Sequence, residues 1–184
     1  MKIRPVRPQD AQALRDIYAY YVEHFPYSFE YEAPPTEEFT RRVEAVLGRY
    51  PFFVCEEDGE ILGFAYAHAY HTRIAYQWVC ETSVYVKDGR GHRGVGTLLY
   101  NRLLPALKKQ GFTKALAVLG CPNAGSEAFH EKMGFKLLAA FPDMGYKFGG
   151  WHDVKYYALE LNPPAGGMAA PIPYSQLEAG FDRL

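Results

Sequence analysis

The stretch "TSVYVK" (82–87), followed by "DGRG" and then "HRGVGTLLYNRLL" (92–104), sets the architecture of this 184-residue chain. Its first part alternates like a strand, and its last part carries leucines at helical spacing. Gly94 and Gly96 stand one residue apart between the two. A glycine turn from strand to helix leaves backbone N–H groups unclaimed where the helix dipole concentrates positive charge. Such a turn can hold an anion, and Arg90 and Arg93 add full charges nearby. It can equally be only a tight connection, because Gly-x-Gly alone is a weak signal. The spacing is neither the P-loop pattern nor the dinucleotide fingerprint, which speaks against a nucleoside triphosphate or NAD.

Outward from that turn, the chain alternates between strand and helix patterns. "IRPV" (3–6) reads as a strand and 8–25 as a helix with Leu14, Ile17, Tyr18, Tyr21 and Val22 on one face. "TEEFTRRVEAVLG" (36–48) reads as a second helix with Thr36 as its N-cap. "FFVCE" and "ILGFAYAHA" flank Asp58-Gly59, a hairpin signal. A long strand is expected over 76–87, a helix up to Gln110, and a strand over 112–119. A short helix capped by Ser126, then strands over 136–141 and 154–161, complete the pattern. The Pro- and Gly-rich segment 162–184 reads as an irregular tail. The expectation is therefore one mixed α/β domain over 1–161, with a central strand opening into the glycine turn. Ligands often sit beyond the carboxyl end of such a strand.

Composition narrows the function. A 48% hydrophobic share supports a folded core, and a net charge of −1 speaks against nucleic acid as partner. Any bound phosphate is expected on a small molecule. Cys55, Cys80 and Cys121 form no CxxC pair and His68-x-x-His71 has no third ligand, so no metal is expected. Reduced thiols and the lack of an apolar leader in "MKIRPVRPQD" fit a cytoplasmic protein, and no apolar run is long enough for a membrane span.

Gly94-Val95-Gly96 matches the second half of the pyrophosphate loop of the GNAT superfamily of N-acetyltransferases, Gln/Arg-x-x-Gly-x-Gly/Ala. Gly91 departs from that loop's first position. Longer stretches, "RIAYQWVCETSVYV" (73–86), "AVLGCPNAGSEAFHEKMGF" (117–135) and "YKFGGWHDV" (146–154), resemble the phosphinothricin N-acetyltransferase family within it. So does "RYPFFVCEEDGEILGFAYA" (49–67), so the likeness covers roughly residues 3–161. The resemblance implies a mostly antiparallel sheet splayed at its centre, with acetyl-CoA as the bound anion. It also implies a homodimer and direct transfer to a small amine such as phosphinothricin, methionine sulfoximine or methionine sulfone. Another amine, such as a natural amino acid or a polyamine, remains open. So does a non-catalytic acyl-CoA sensor.

By the same resemblance, Gly91, His92, Arg93, Gly94, Val95, Gly96 and Thr97 hold the pyrophosphate, and Val84, Tyr85 and Val86 offer backbone groups to the acetyl and pantetheine. Asn123 and Ser126 are placed at the CoA, although an Asn after Pro122 also suits a plain turn. Glu81, a carboxylate within an apolar strand, falls at the family's general-base position. An ammonium must lose a proton before it attacks a thioester, and a Glu raised by partial burial can accept it. The alternative is a structural ion pair, for which Arg73 is a candidate partner. His130 stands where many GNAT enzymes carry a tyrosine that protonates the departing thiolate. A surface His that orders CoA or caps a carbonyl fits as well. Phe29, Arg73, Tyr76 and Lys147 are the acceptor-site candidates, with Arg73 suited to a carboxylate.

Overall fold

The computed structural model describes residues 1–91 and 93–181. Its strands are β1 (Lys2–Pro5), β2 (Phe52–Glu57), β3 (Glu60–Ala69), β4 (Val79–Val86), β5 (Lys114–Gly120), β6 (Lys136–Lys147) and β7 (Gly150–Glu160). Its helices are α1 (Ala11–His24), α2 (Thr36–Val46), α3 (Val95–Gln110), α4 (Ala124–Lys132) and α5 (Tyr174–Phe181). The strands form one sheet in the order β1-β2-β3-β4-β5-β7-β6. Every pairing is antiparallel except β4 with β5. Asp58 and Gly59, both at positive φ (52° and 81°), make the tight β2–β3 turn that the sequence signals.

Period-two alternation sends successive strand residues into two separate cores. Phe52, Val54 and Phe64 meet Leu14, Ile17 and Val22 of α1 and Val43 of α2 on one face. Phe53, Ala65 and Cys80 meet Leu99, Leu103 and Leu107 of α3 on the other. Full burial of each such leucine contributes about 1.5–3 kcal/mol.

The parallel joint is short. β4 pairs with β5 only over Val79–Glu81 against Lys114–Leu116. Beyond it β4 stays paired to β3 as far as Val86, and β5 to β7 as far as Gly120. The two central strands therefore part after Glu81, giving the expected splay.

Several local expectations need correction. The strand expected over 76–87 starts at Val79, because Ile74–Tyr76 forms a 3-10 turn. Thr113 fixes the Trp78 carbonyl just before it, through its backbone N–H (2.9 Å) and Oγ1 (3.1 Å). Thr36 is not a cap: it lies inside α2, and its hydroxyl donates to Gln12 Oε1 at 2.7 Å. Asn123, not Ser126, caps α4, with Oδ1 accepting from Ser126 N–H at 3.2 Å. β6 runs six residues past its expected end at Phe141, and β7 starts four residues before Val154, so they make one long hairpin.

The tail is not irregular throughout. Trp78 Nε1–H donates to Ala169 O at 2.9 Å, and Ile172 N–H to Gln110 O at 2.9 Å. α5 then buries Tyr174 and Leu177 in the α3-side core.

Candidate active site

A cleft of about 720 Å³ fills the gap where β4 leaves β5. One wall is the opened edge of β4. Lys87 N–H donates to Leu62 O of β3 at 2.8 Å, so alternation points the backbone groups of Val84 and Val86 the other way, into the gap. At Val86 both are met by one side chain: Tyr21 Oη donates to its carbonyl at 2.5 Å and accepts from its N–H at 3.4 Å. This corrects the expectation that Val84 and Val86 serve alike. Val84 has the N–H and C=O turned into the cleft, where they meet no strand or side-chain partner among the described residues. Tyr85 borders the cleft while its ring packs on Tyr18 (5.1 Å) and Phe64 (5.2 Å), and burial pushes its hydroxyl well up.

The start of α3 forms one end. Gly94 has φ +81°, a left-handed conformation that suits glycine. Leu98 N–H makes the first helical bond, to Gly94 O at 2.9 Å. The amides of Val95, Gly96 and Thr97 therefore have no intrahelical acceptor, and all three residues border the cleft with Gly91 and Gly94. Gly96 has a second duty: a Cβ there would lie 3.1 Å from the Phe129 ring. The two arginines divide. Arg90 borders the cleft and pairs with Glu60 at 2.8 Å. Arg93 turns instead to Glu57 at 2.8 Å and forms no part of the wall, so its expected place at the anion is not where its side chain lies. His92 lies outside the described residues.

α4 supplies the far wall through Asn123, Ser126 and His130. His130 is not a surface residue: it is 2% exposed. Nδ1 faces Ser126 O at 2.8 Å, and a carbonyl only accepts, so Nδ1 carries a hydrogen. Nε2 faces Tyr100 Oη at 3.1 Å, and Tyr100 Oη also reaches Thr82 Oγ1 at 3.2 Å. Thr82 Oγ1 donates onward to Leu116 O at 3.0 Å. Burial lowers the His130 pKa and keeps the ring neutral. Neither nitrogen is left to donate to a leaving sulfur, so the geometry favours an ordering role over the acid role.

Glu81 is the last residue of β4 paired with β5, and it lies on the α1 face of the sheet. Burial pushes its carboxyl above the usual range, opposed by the nearby His68 ring. Its ion partner is His68, with Nε2 3.8 Å from Oε1, and not Arg73.

The acceptor candidates scatter. The Lys147 ammonium is buried against Val22 O (2.7 Å), Phe25 O (3.2 Å) and Ser28 O (2.8 Å). All three of its hydrogens are engaged, which removes it as a carboxylate ligand. The tip of the Phe29 ring lies against Gly145 of β6, where a Cβ would strike it, and so ties the 25–35 loop to the hairpin. Arg73 is exposed before the 3-10 turn and makes no ion pair among the described residues. Tyr76 is 39% exposed and rests on His71 at 5.0 Å. Phe29, Arg73 and Tyr76 lie outside the cleft wall.

Sequence reading missed Tyr21, His68 and Tyr100 as site residues. Tyr21 and Tyr100 sit on helical faces that read as ordinary core, and only strand register brings His68 to Glu81. Cys55, Cys80 and Cys121 are buried free thiols, and burial pushes all three pKa values up, so none is a poised nucleophile. Among the described residues no His/Cys/Asp/Glu cluster could hold a metal, and no helix is long and apolar enough to cross a membrane.

The profile of the acetyltransferase (GNAT) domain matches residues 3–155. The chain belongs to the GNAT acetyltransferase family. It is 36% identical to the phosphinothricin N-acetyltransferase of Streptomyces viridochromogenes, covering 90% of both chains. It is 30% identical to the L-methionine sulfoximine/L-methionine sulfone acetyltransferase of Salmonella typhimurium, over 90% of this chain and 97% of that one. A GNAT phosphinothricin acetyltransferase from Sinorhizobium meliloti, solved in complex with acetyl-CoA, superposes with a TM-score of 0.86 at 28% identity. That match covers 94% of this chain and 97% of that one. Within this GNAT domain, the cleft thus lies at the splayed centre of an acetyltransferase sheet.

Proposed function

We propose that the protein transfers acetyl from acetyl-CoA to the amine of a small amino-acid-like acceptor, of the phosphinothricin or methionine sulfoximine type, by direct attack in a ternary complex. One observation carries the reading. The parting of β4 from β5 opens one cleft onto the unclaimed α3 amides and the Val84 backbone, and it begins at Glu81, which stands next to Thr82 of the cleft wall without lining it. The amides of 95–97 suit a pyrophosphate. The pantetheine follows the β4 edge, and the Val84 N–H polarises the thioester carbonyl. Glu81 takes one proton from the ammonium, the freed amine attacks, and the tetrahedral intermediate expels the thiolate, which takes up the nitrogen's second proton through solvent.

Thiol release from acetyl-CoA with a panel of amines tests this. Turnover confined to phosphinothricin, methionine sulfoximine and methionine sulfone supports it. Preference for polyamines or ordinary amino acids replaces the acceptor class, and no turnover with any amine leaves an acyl-CoA sensor.

A homodimer and a cytoplasmic setting belong to the same reading. The β6–β7 hairpin exposes Leu138 (59%), Met144 (58%) and Trp151 (63%), an apolar surface suited to a second copy. Light scattering at assay concentration checks the oligomeric state. Three buried, unpaired thiols suit a reducing compartment.

A further inference from the structure

The proton that Glu81 accepts must leave before the next turnover, and the reaction scheme above gives it no exit. His68 and Glu81 are direct register partners on antiparallel β3 and β4, so their side chains stand together on one face. Nε2 and Oε1 are 3.8 Å apart, within a small side-chain rotation or one bridging water of transfer. The tautomer follows from the other ring nitrogen. His68 Nδ1 meets Ala69 O at 3.0 Å, so Nδ1 carries the hydrogen and a neutral ring turns a bare Nε2 lone pair toward the carboxylate. Two acceptors facing each other repel unless a proton lies on one of them. The arrangement is therefore built to hold one shared proton.

We propose that His68 is the relay partner of Glu81: Nε2 receives the proton that Glu81 takes from the attacking amine and passes it to solvent. This rests on the reading of Glu81 as the base. In balance, the substrate N–H bond breaks and a Glu81 O–H forms. That O–H breaks as the His68 Nε2–H forms, and water or a buffer base then takes the same proton. The exposures match the direction of travel, with the His68 side chain 33% exposed and that of Glu81 25%. His68 also lies next to the last residue of β3, with two residues between it and the exposed 71–76 segment.

The other groups near this pair do not compete for the proton near neutrality. Tyr66 of β3 and Tyr156 of β7 interact with Glu81, and burial pushes both phenols further up. Tyr70 neighbours Tyr156, and Glu30 and Arg42, which face Tyr66 from the α2 side, are paired with each other at 2.5 Å. Cys80 points to the opposite core.

The test is kcat for native enzyme, His68→Ala and His68→Gln at saturating substrates, against pH and buffer concentration. In weak buffer both variants should lose about tenfold or more in kcat, with the KM for acetyl-CoA unchanged. Added imidazole should restore His68→Ala in proportion to its concentration and leave the native enzyme unaffected. The acid limb of the profile should shift in both variants. Native kcat and profile in either variant overturn the relay. So does a loss that imidazole does not restore, because a merely structural contact behaves that way. Glu81→Gln separates the two readings: native activity there ends the base assignment itself, while an imidazole-insensitive loss retains the base and leaves the relay to be judged on His68 alone.

Discussion

On the two faces of the sheet at β4 stand two histidines in opposite states, His130 of α4 and His68 of β3. On the α3 face, His130 is sealed, and the chain Thr82–Tyr100–His130–Ser126 engages both of its ring nitrogens. On the α1 face, His68 and Glu81 meet loosely at 3.8 Å, each partly exposed. A buried hydrogen-bonded chain fixes geometry, because a proton that moves within it has no exit to solvent. A half-open acid–base pair can change protonation at little cost. Burial alone therefore does not mark the chemistry in this molecule. The mark is burial combined with an unfinished hydrogen-bond account.

That contrast can be broken most sharply at Glu81. Glu81→Gln should fold normally and lower kcat by about 10²–10⁴-fold. Because burial raises this carboxyl, activity should fall on the acid side from a point above the ordinary Glu value of about 4.3, as the base becomes protonated. A variant with native kcat and an unchanged acid limb would put the chemistry elsewhere.

Next in size is Arg73, exposed just before the 3-10 turn that leads into β4. Removing the acceptor's α-carboxylate should cost roughly 10–150-fold in kcat/KM with native enzyme and much less with Arg73→Ala. Simple addition of the two losses in the double cycle would free Arg73 from the substrate.

At the α3 end, Gly94→Ala strains a left-handed residue and displaces the following amides. The KM for acetyl-CoA should rise about tenfold with kcat little changed. Gly94 is the cleaner probe, since a side chain at Gly96 strikes Phe129 whatever the ligand does. Unaltered acetyl-CoA binding by calorimetry would remove the anion from this turn.

The smallest effect tests the sealed face. The folded pKa of His130 lies below its unfolded value, so its contribution to stability is complete above the ordinary imidazole value of about 6.5. That contribution declines as pH falls toward the depressed pKa, because the unfolded chain binds the proton first. Chemical denaturation at pH 7.5 and 5.5 should show a smaller acid loss in His130→Phe than in native protein. Equal losses would detach His130 from the acid sensitivity.

What the sequence made legible was local. The strand–glycine turn–helix around Gly94 and the Asp58-Gly59 hairpin depend on neighbours in the chain, and both stand as read. Asn123 and Ser126 compete three residues apart for one cap, and composition cannot choose between them. Lys147 is exposed or buried according to where residues 22–28 cross it, more than 100 positions away. In the sequence His68 reads only as half of a weak metal pattern, because its true neighbour, Glu81, is set by the β3–β4 register and not by local spacing. The tail's prolines and glycines hid Tyr174 and Leu177, whose partners lie in other elements.

The three-residue seam between β4 and β5 has a mechanical consequence. Each side of the sheet closes on itself through near neighbours, β1 to β4 before the seam and β5 to β7 after it. A cosubstrate lying in the gap acts as a splice, touching both halves at the place where backbone rungs are fewest. Its occupancy therefore governs how readily the seam unzips. At a hundred times its dissociation constant such a ligand adds about 2.7 kcal/mol to the folded state. That gain is expected to slow proteolysis and hydrogen exchange first at the free ends of β4 and β5, so the tolerance of this protein to heat follows the supply of its own acyl donor.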